Sequence, residues 1–298
     1  MKRKRYTWLY IVLGFIVAIF IFSFIAVSFI PKRGGGSFKL KLGDKVAVIP
    51  IKGLISSSKP VADQIRRFAK DNSVKAIVLR INSPGGGVAA SQEIYEEIKK
   101  AKRKKIIITS MGSVAASGGY YIASASNKIL ANPGTITGSI GVIMEFTNFE
   151  ELMKKIGIKG VVIKSGKFKD IGSPTRPLTD EERALLSEMA DNIKEQFVKA
   201  VAEGRNMDIE EVRKIADGRI FTGEQALKLS LIDKFGNLYD AIELAAKMAG
   251  IKGEPHVVYP PRRISWWRTI ANESIKGFID LLMEIGPARY LLYHIPTT

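Results

Sequence analysis

The chain has 298 residues, and its 46 Lys and Arg residues outnumber 29 Asp and Glu residues, which gives a net charge of +17. It contains no cysteine, so disulfides, thiolate nucleophiles and cysteine-based zinc sites are excluded. The basic residues are spread along the chain without an aromatic and basic recognition motif, so we do not expect a nucleic-acid partner. A basic surface that faces anionic membrane lipid accounts for the same charge.

An uninterrupted apolar segment, residues 6–30, follows a short basic tail, residues 1–5. The segment is long enough for a helix that crosses a bilayer, so we predict one transmembrane helix. The alternative is a cleaved signal peptide, because Ala26-Val27-Ser28 weakly resembles a signal-peptidase site. The flanking basic charges are nearly balanced, but a large domain is translocated largely regardless of charge. We expect a single-pass protein of the cell membrane, with a cytoplasmic N-terminus and an extracytoplasmic domain.

Three further regions follow the apolar segment. Residues 31–44 contain three consecutive glycines and are typical of a flexible linker. Between residues 45 and 250, strand-like and helix-like segments alternate, which predicts an α/β domain with a largely parallel sheet. Residues 251–298 are predicted to form an amphipathic, apolar tail that lies on a membrane surface or at an oligomer contact.

Two helices of this domain have predicted bounds that bear on the site. One is predicted over residues 115–125. A longer helix is predicted to begin at Thr179, where Glu182 completes a capping box, and to end at Gly204.

The two histidines, His256 and His294, both lie late in the chain, and each fits a surface or interface position. We therefore expect neither a Ser-His-Asp triad nor a histidine-ligated metal. A serine nucleophile then needs another base. A lysine can serve when burial or neighbouring dipoles lower its pKa enough to leave it neutral.

Ser117 is the candidate nucleophile. It lies in the sequence SVAASGGYY, where a predicted strand leads into a predicted helix. Small neighbours let a substrate backbone approach, and the free N–H groups of a helix N-terminus can stabilise an oxyanion. An ordinary glycine-rich helix start is the alternative. A second cluster, Gly85-Gly86-Gly87, could supply another amide donor, although alone it also fits a turn or a phosphate-binding loop.

The general base is expected in the lysine-rich stretch that contains Lys164, Lys167 and Lys169. One lysine must lie within hydrogen-bond distance of Ser117. Spacing does not choose among them, since Lys167 and Lys169 would share a face of an extended stretch. An exposed basic turn is the alternative for most lysines of such a run.

Five segments, taken together and in this order, resemble the short form of the signal peptide peptidase A family. They are NSPGG from Asn82, MGSVAASGGYY from Met111, TGSIGV from Thr137, SGKFKD from Ser165 and DGRIFTG from Asp217. The resemblance covers about residues 46–248, and Ser230 departs from a glycine that is common in the family. It implies the fold of Clp protease and crotonase, with repeated ββα units and a parallel sheet, here preceded by the transmembrane helix.

The resemblance also implies roles for individual residues. Ser117 matches the nucleophile, Lys169 the general base, and Ser139 the serine that orients this lysine. Gly86 and Gly118 match the amides of the oxyanion hole. No cofactor or metal is implied. Because the chain lacks the duplicated domain of the family's long form, the resemblance implies a ring-like homo-oligomer, with an octamer as a candidate size, whose sites are completed across subunit contacts.

The implied function is that of a membrane-anchored serine endopeptidase that degrades cleaved signal peptides and other apolar peptides. One alternative is a related membrane serine protease that acts on a specific membrane protein partner. A crotonase-type acyl-CoA enzyme is another, although it would not need the lysine. The third is a non-catalytic oligomeric membrane scaffold. A lysine base predicts activity that rises toward neutral or alkaline pH.

Overall fold

A computed structural model of the chain describes residues 44–261. The predicted transmembrane segment, residues 6–30, and most of the predicted tail lie outside the described residues. Between residues 44 and 261, none of the helices combines the length and the apolar character that a membrane span requires.

One mixed sheet organises the described part of the chain. Its strands, in chain order, are β1 (Lys45–Lys52), β2 (Val74–Ser83), β3 (Ile106–Ala116), β4 (Lys128–Ala131), β5 (Ile136–Gly138), β6 (Ile220–Thr222), β7 (Lys234–Phe235) and β8 (His256–Val258). The spatial order is β6-β5-β3-β2-β1-β8, and β4 pairs with both β3 and β7. Every pair is parallel except β5 with β6. The predicted α/β fold with a largely parallel sheet is confirmed.

The helices of the described range connect these strands. They are α1 (Lys59–Lys70), α2 (Val88–Lys102), α3 (Gly118–Ser124), α4 (Glu150–Lys155), α5 (Asp180–Arg205), α6 (Ile209–Ile215), α7 (Gly223–Lys228) and α8 (Leu238–Met248). One helix follows each of β1, β2 and β3. A ββα unit consists of two strands followed by a helix, and β4, β5 and α4 follow one another in this order.

Alternate side chains of the central strands pack on opposite faces of the sheet. In β1, Val46 and Val48 belong to the core that α8 covers with Ala241 and Ala245. Ala47 and its alternate neighbours face the larger core, to which α1, α2, α3 and α5 contribute. Both faces are therefore buried, as in other parallel sheets, and the edges where strands end remain for a functional site.

Two predicted helix boundaries differ from the observed ones. Ala115 and Ala116 belong to β3, because their backbones pair with β5, and the helix begins only at Gly118. The capping box of α5 is confirmed, but the helix ends at Arg205, with Asn206 in the left-handed conformation as its cap. Gly204 lies inside the last turn, where a Cβ atom would lie 2.1 Å from the carbonyl oxygen of Ser124. The packing of α5 on α3 thus requires this glycine.

Candidate active site

The carboxyl ends of β1, β2 and β3 lie at one edge of the sheet, which is where open α/β sheets place their sites. The segment after β1 and the glycine loop after β2 are joined there by two hydrogen bonds. The backbone N–H of Ile55 donates to Gly85 at 2.9 Å, and that of Gly87 donates to Ile55 at 2.8 Å. These bonds fix the glycine loop beside the end of β3.

Ser117 stands between β3 and α3 in a strained backbone conformation, with φ 51° and ψ −122°. Such a conformation costs a non-glycine residue about 1–3 kcal/mol and needs support from its surroundings. Two hydrogen bonds of 2.8 Å provide it: the N–H of Ser117 donates to Gly138, and the N–H of Tyr121 donates to Ser117. A sharp strand-to-helix turn of this kind presents the nucleophile of α/β-hydrolases.

The backbone N–H groups of Gly86 and Gly118 lie close together beside this serine. A Cβ atom on Gly118 would lie 3.3 Å from the nitrogen of Gly86, and one on Gly85 would lie 2.9 Å from Cβ of Ser117. Within residues 44–261, neither N–H donates to a backbone or side-chain acceptor. The structure thus brings two unused donors to the nucleophile candidate, which is what an oxyanion hole requires.

Ser139 also lies at this edge. It follows directly on Gly138, the residue that accepts the hydrogen bond from Ser117, and it too has a positive φ, of 51°. Its N–H donates to the carbonyl of Arg219 at 2.8 Å. Phe221 packs on Gly138 so closely that a Cβ there would lie 2.5 Å from the ring. The antiparallel pair of β5 and β6 therefore holds Ser139 next to Ser117.

Among the described residues, Lys169 forms no hydrogen bond with this group within one chain. It lies in a turn, where its N–H donates to Gly166 at 3.1 Å, and its side chain is exposed. In the described part of the chain, its ammonium makes no hydrogen bond or ion pair, whereas Lys164 pairs with Asp170 and Lys167 with Glu181. Of the three candidate lysines, Lys169 alone keeps a free ammonium among residues 44–261.

The segment that carries these lysines, residues 141–178, has an exposed apolar surface. Apart from α4 it is irregular, and Val161 is 86% and Ile163 97% exposed. Other large apolar side chains of the segment are also exposed: Ile143, Phe146, Phe149, Leu152, Ile156, Ile158 and Val162. So many exposed large apolar side chains in one segment are typical of an interaction site.

Sequence reasoning missed Arg176, which holds the lysine segment on the first turn of α5. Its guanidinium donates from Nε to Asp170 at 2.9 Å and from Nη1 to Glu182 at 2.8 Å. These hydrogen bonds lower the pKa of Glu182 to about 2 and also lower the pKa of Asp170. The capping box of α5 signalled Glu182 from the sequence, but no local spacing connects it with Arg176.

The remaining candidates for chemistry lie elsewhere. His256 is exposed on β8 and pairs with Lys45, at the edge of the sheet opposite to Ser117. His294 lies outside the described residues. Within the range that the structure describes, no three His, Cys, Asp or Glu side chains are grouped as metal ligands would be.

Comparison with known proteins identifies the family. Residues 99–252 match the profile of peptidase family S49, and residues 48–135 match that of Clp protease. A protein named as a protease from Synechocystis sp. is 45% identical over 265 residues, which are 88% of this chain and 96% of that protein. A protease-named protein of Methanocaldococcus jannaschii is 37% identical over 73% of this chain and 66% of its own length.

A further relative, named as signal peptide peptidase SppA, comes from Enterococcus faecium. It is 42% identical over 62% of this chain, which spans 54% of that relative's length. The family match, together with a Clp protease-like α/β fold, confirms the resemblance drawn from the motifs. The chain belongs to peptidase family S49 and is a serine peptidase.

Proposed function

We propose that the protein is a membrane-anchored endopeptidase with a Ser-Lys dyad, in which Ser117 is the nucleophile and Lys169 the general base. One observation carries the proposal: the strained turn at Ser117 lies beside the unused N–H groups of Gly86 and Gly118. A serine that only starts a helix would need neither the strain nor the pair of donors.

The mechanism follows from this arrangement. Neutral Lys169 accepts the proton of Ser117, and the serine oxygen attacks the scissile carbonyl carbon. The N–H groups of Gly86 and Gly118 stabilise the oxyanion of the tetrahedral intermediate. Protonated Lys169 then gives its proton to the leaving amine, and a water molecule, again deprotonated by the lysine, hydrolyses the acyl-enzyme. Ser139 accepts a hydrogen bond from the lysine and orients it.

The choice of Lys169 is supported by the ion pairs of its neighbours. Lys164 donates to Asp170 at 2.5 Å, and Lys167 is paired with Glu181. A lysine whose ammonium is already held by a carboxylate is not free to reach a serine. Lys169 makes no such pair with any residue from 44 to 261, and it is therefore the lysine best suited to act as a base.

The proposed site is completed by a second copy of the chain. The exposed Lys169 forms no hydrogen bond with Ser117 of its own chain, and the segment that carries it exposes the apolar side chains of Val161 and Ile163. A neighbouring copy that covers this surface would receive the lysine beside its own serine. Repetition of such a head-to-tail contact gives a ring when its rotation closes, which agrees with the ring-like homo-oligomer that the family resemblance implies.

Substrates of the proposed enzyme are apolar peptides, in particular cleaved signal peptides. Apolar side chains flank the loops around Ser117: Leu54 and Val88 adjoin the glycine loop, and Ile136 begins β5, and all three are exposed. They offer an apolar rather than a charged surface to a peptide. The anchor is the apolar segment of residues 6–30, and basic residues near it face anionic lipid, with the catalytic domain outside the cytoplasm.

Labelling with a fluorophosphonate and cleavage of an apolar fluorogenic peptide by the full-length protein in detergent test the dyad. We expect Ser117→Ala to abolish both signals and Lys169→Ala to abolish cleavage while the protein remains folded. Lys167→Ala is the matched control and should retain activity. If Lys169→Ala cleaves the peptide as fast as the parent, the base is misassigned. A folded, assembled parent that neither reacts nor cleaves would favour the non-catalytic scaffold.

A further inference from the structure

We propose that Arg176 is the positioning residue for the general base, because it ties the turn that carries Lys169 to the first turn of α5. The inference rests on the proposed Ser-Lys dyad and adds to it a residue that fixes the position of the lysine. Arg176 does not touch the substrate in this proposal, and it acts through Asp170.

The guanidinium of Arg176 uses all five of its N–H donors. Nε donates to Asp170 Oδ2 at 2.9 Å, and Nη2 donates to the backbone carbonyl of Asp170 at 3.2 Å and to Glu182 Oε1 at 2.5 Å. Nη1 donates to Glu182 Oε2 at 2.8 Å and to the carbonyl of Pro177 at 3.0 Å. A guanidinium can make these five hydrogen bonds at once because its five donors lie in a fixed plane. The ammonium of a lysine has only three donors and no fixed plane.

Arg176 thus forms a bridge between Asp170 and Glu182, and the Glu182 end of this bridge is rigid. The side chain of Glu182 is only 4% exposed, and its carboxylate also accepts the N–H of Thr179 at 3.0 Å within the capping box of α5. The side chains of Arg176 and Asp170 are 28% and 14% exposed, so water screens the bridge only in part. The pair of Lys167 with Glu181 joins the same two elements but is exposed at both ends, and such pairs contribute little.

The Asp170 end of the bridge adjoins the proposed base. Arg176 fixes both the carboxylate and the carbonyl of Asp170, the residue after Lys169. On the other side, the N–H of Lys169 donates to Gly166 at 3.1 Å. The backbone of the lysine is therefore fixed on both sides while its side chain stays free to reach a serine. A misplacement of about 1 Å can reduce a catalytic rate by about 100-fold.

The test compares Arg176→Lys with a matched arginine that has no connection to the lysine turn. Arg213 forms the same kind of bridge, from Nη2 to Glu195 at 2.7 Å and from Nη1 to Glu210, between α5 and α6. Full-length Arg176→Lys and Arg213→Lys are compared with the parent in detergent. Asp170→Asn is the second variant, because it weakens the Asp170 end of the bridge and leaves the contact of Arg176 with Glu182 in place.

Two readouts are measured: peptide cleavage, as kcat and KM, and hydrogen–deuterium exchange of the backbone amides of residues 164–173. For Arg176→Lys we expect kcat to fall about 100-fold with KM changed less than about two-fold, and these amides to exchange faster. Asp170→Asn should show a smaller change in the same direction. Arg213→Lys should leave both readouts at the parent values.

Unchanged exchange in Arg176→Lys, or faster exchange with an unchanged kcat, would overturn the inference. An equal loss of kcat in Arg213→Lys would do the same, since the effect would then be general. If the proposed dyad is wrong, Lys169→Ala will cleave the peptide at the full rate. The hydrogen–deuterium exchange of Arg176→Lys does not depend on which residue is the base, so the two failures can be distinguished.

Discussion

Mixing two inactive variants measures whether each site is shared between two copies of the chain. In the structure, the exposed Lys169 forms no hydrogen bond with Ser117 of its own chain. If the neighbour supplies the lysine, a site is intact when the serine comes from a Lys169→Ala copy and the lysine from a Ser117→Ala copy. When the two variants are mixed in equal amounts, half of the serines come from Lys169→Ala copies, and half of the lysine-supplying neighbours are Ser117→Ala copies. A randomly mixed ring should therefore recover about one quarter of the parent activity.

The assay follows cleavage of an apolar peptide after full-length Ser117→Ala and Lys169→Ala proteins are dissociated, mixed and reassembled in detergent. Activity should follow the product of the two fractions and be highest at equal amounts. Native mass spectrometry shows whether both variants occupy the same particle, and each variant reassembled alone is the control. Mixed particles without activity would refute the reasoning, because a site contained in one chain cannot be restored by mixing.

Two further predictions concern the oxyanion loop and the acid limit of stability. Gly118→Ala places a Cβ atom 2.4 Å from Ser91 Oγ, so we expect the N–H of this residue to shift and kcat/KM for the peptide to fall about 100–1,000-fold. Gly134→Ala, whose Cβ meets no atom within 4 Å, is the control that should keep full activity, and equal losses in both would contradict the explanation. The hydrogen bond from Arg66 lowers the pKa of Glu97 from 4.5 to about 2, so this carboxylate stabilises the fold above about pH 4.5, and the stabilisation disappears as pH falls toward 2. Thermal unfolding from pH 7 to 2 should show a lower Tm for Glu97→Gln at neutral pH and a gap that closes in acid, and a gap that widens in acid would show the sign to be wrong.

Much of the fold could be predicted because its signals are local. Alternating apolar strands and amphipathic helices indicated the parallel sheet, and Thr179 with Glu182 located the start of α5. The end of β3 could not be predicted in this way. Ala115 and Ala116 favour a helix by propensity, but pairing with Thr137 and Gly138 of β5 keeps them in the strand. Tertiary pairing decided the boundary, and with it the sharp turn at Ser117.

The candidate site was predictable to the extent that it is made of loops with distinctive residues. The glycine loop, Ser117 and the lysine stretch were all recognised, and the family resemblance gave them roles. Spacing could not choose among the lysines, since the proposed choice depends on the ion pairs of Lys164 with Asp170 and of Lys167 with Glu181, which form only in the fold. For the same reason Arg176 was missed, because its partners Asp170 and Glu182 are brought together by tertiary structure.

The sheet has a consequence for the order in which the chain folds. Strand β1, the first strand of the described residues, lies between β2 and β8, and Lys45 pairs with His256, more than 200 residues later in the sequence. A chain that leaves the ribosome N-terminus first can form β1, β2 and β3 early, but one edge of β1 stays unpaired until β8 has been synthesised. An unpaired edge is a site for pairing with other chains, so we expect the domain to be prone to aggregation until β8 has been synthesised.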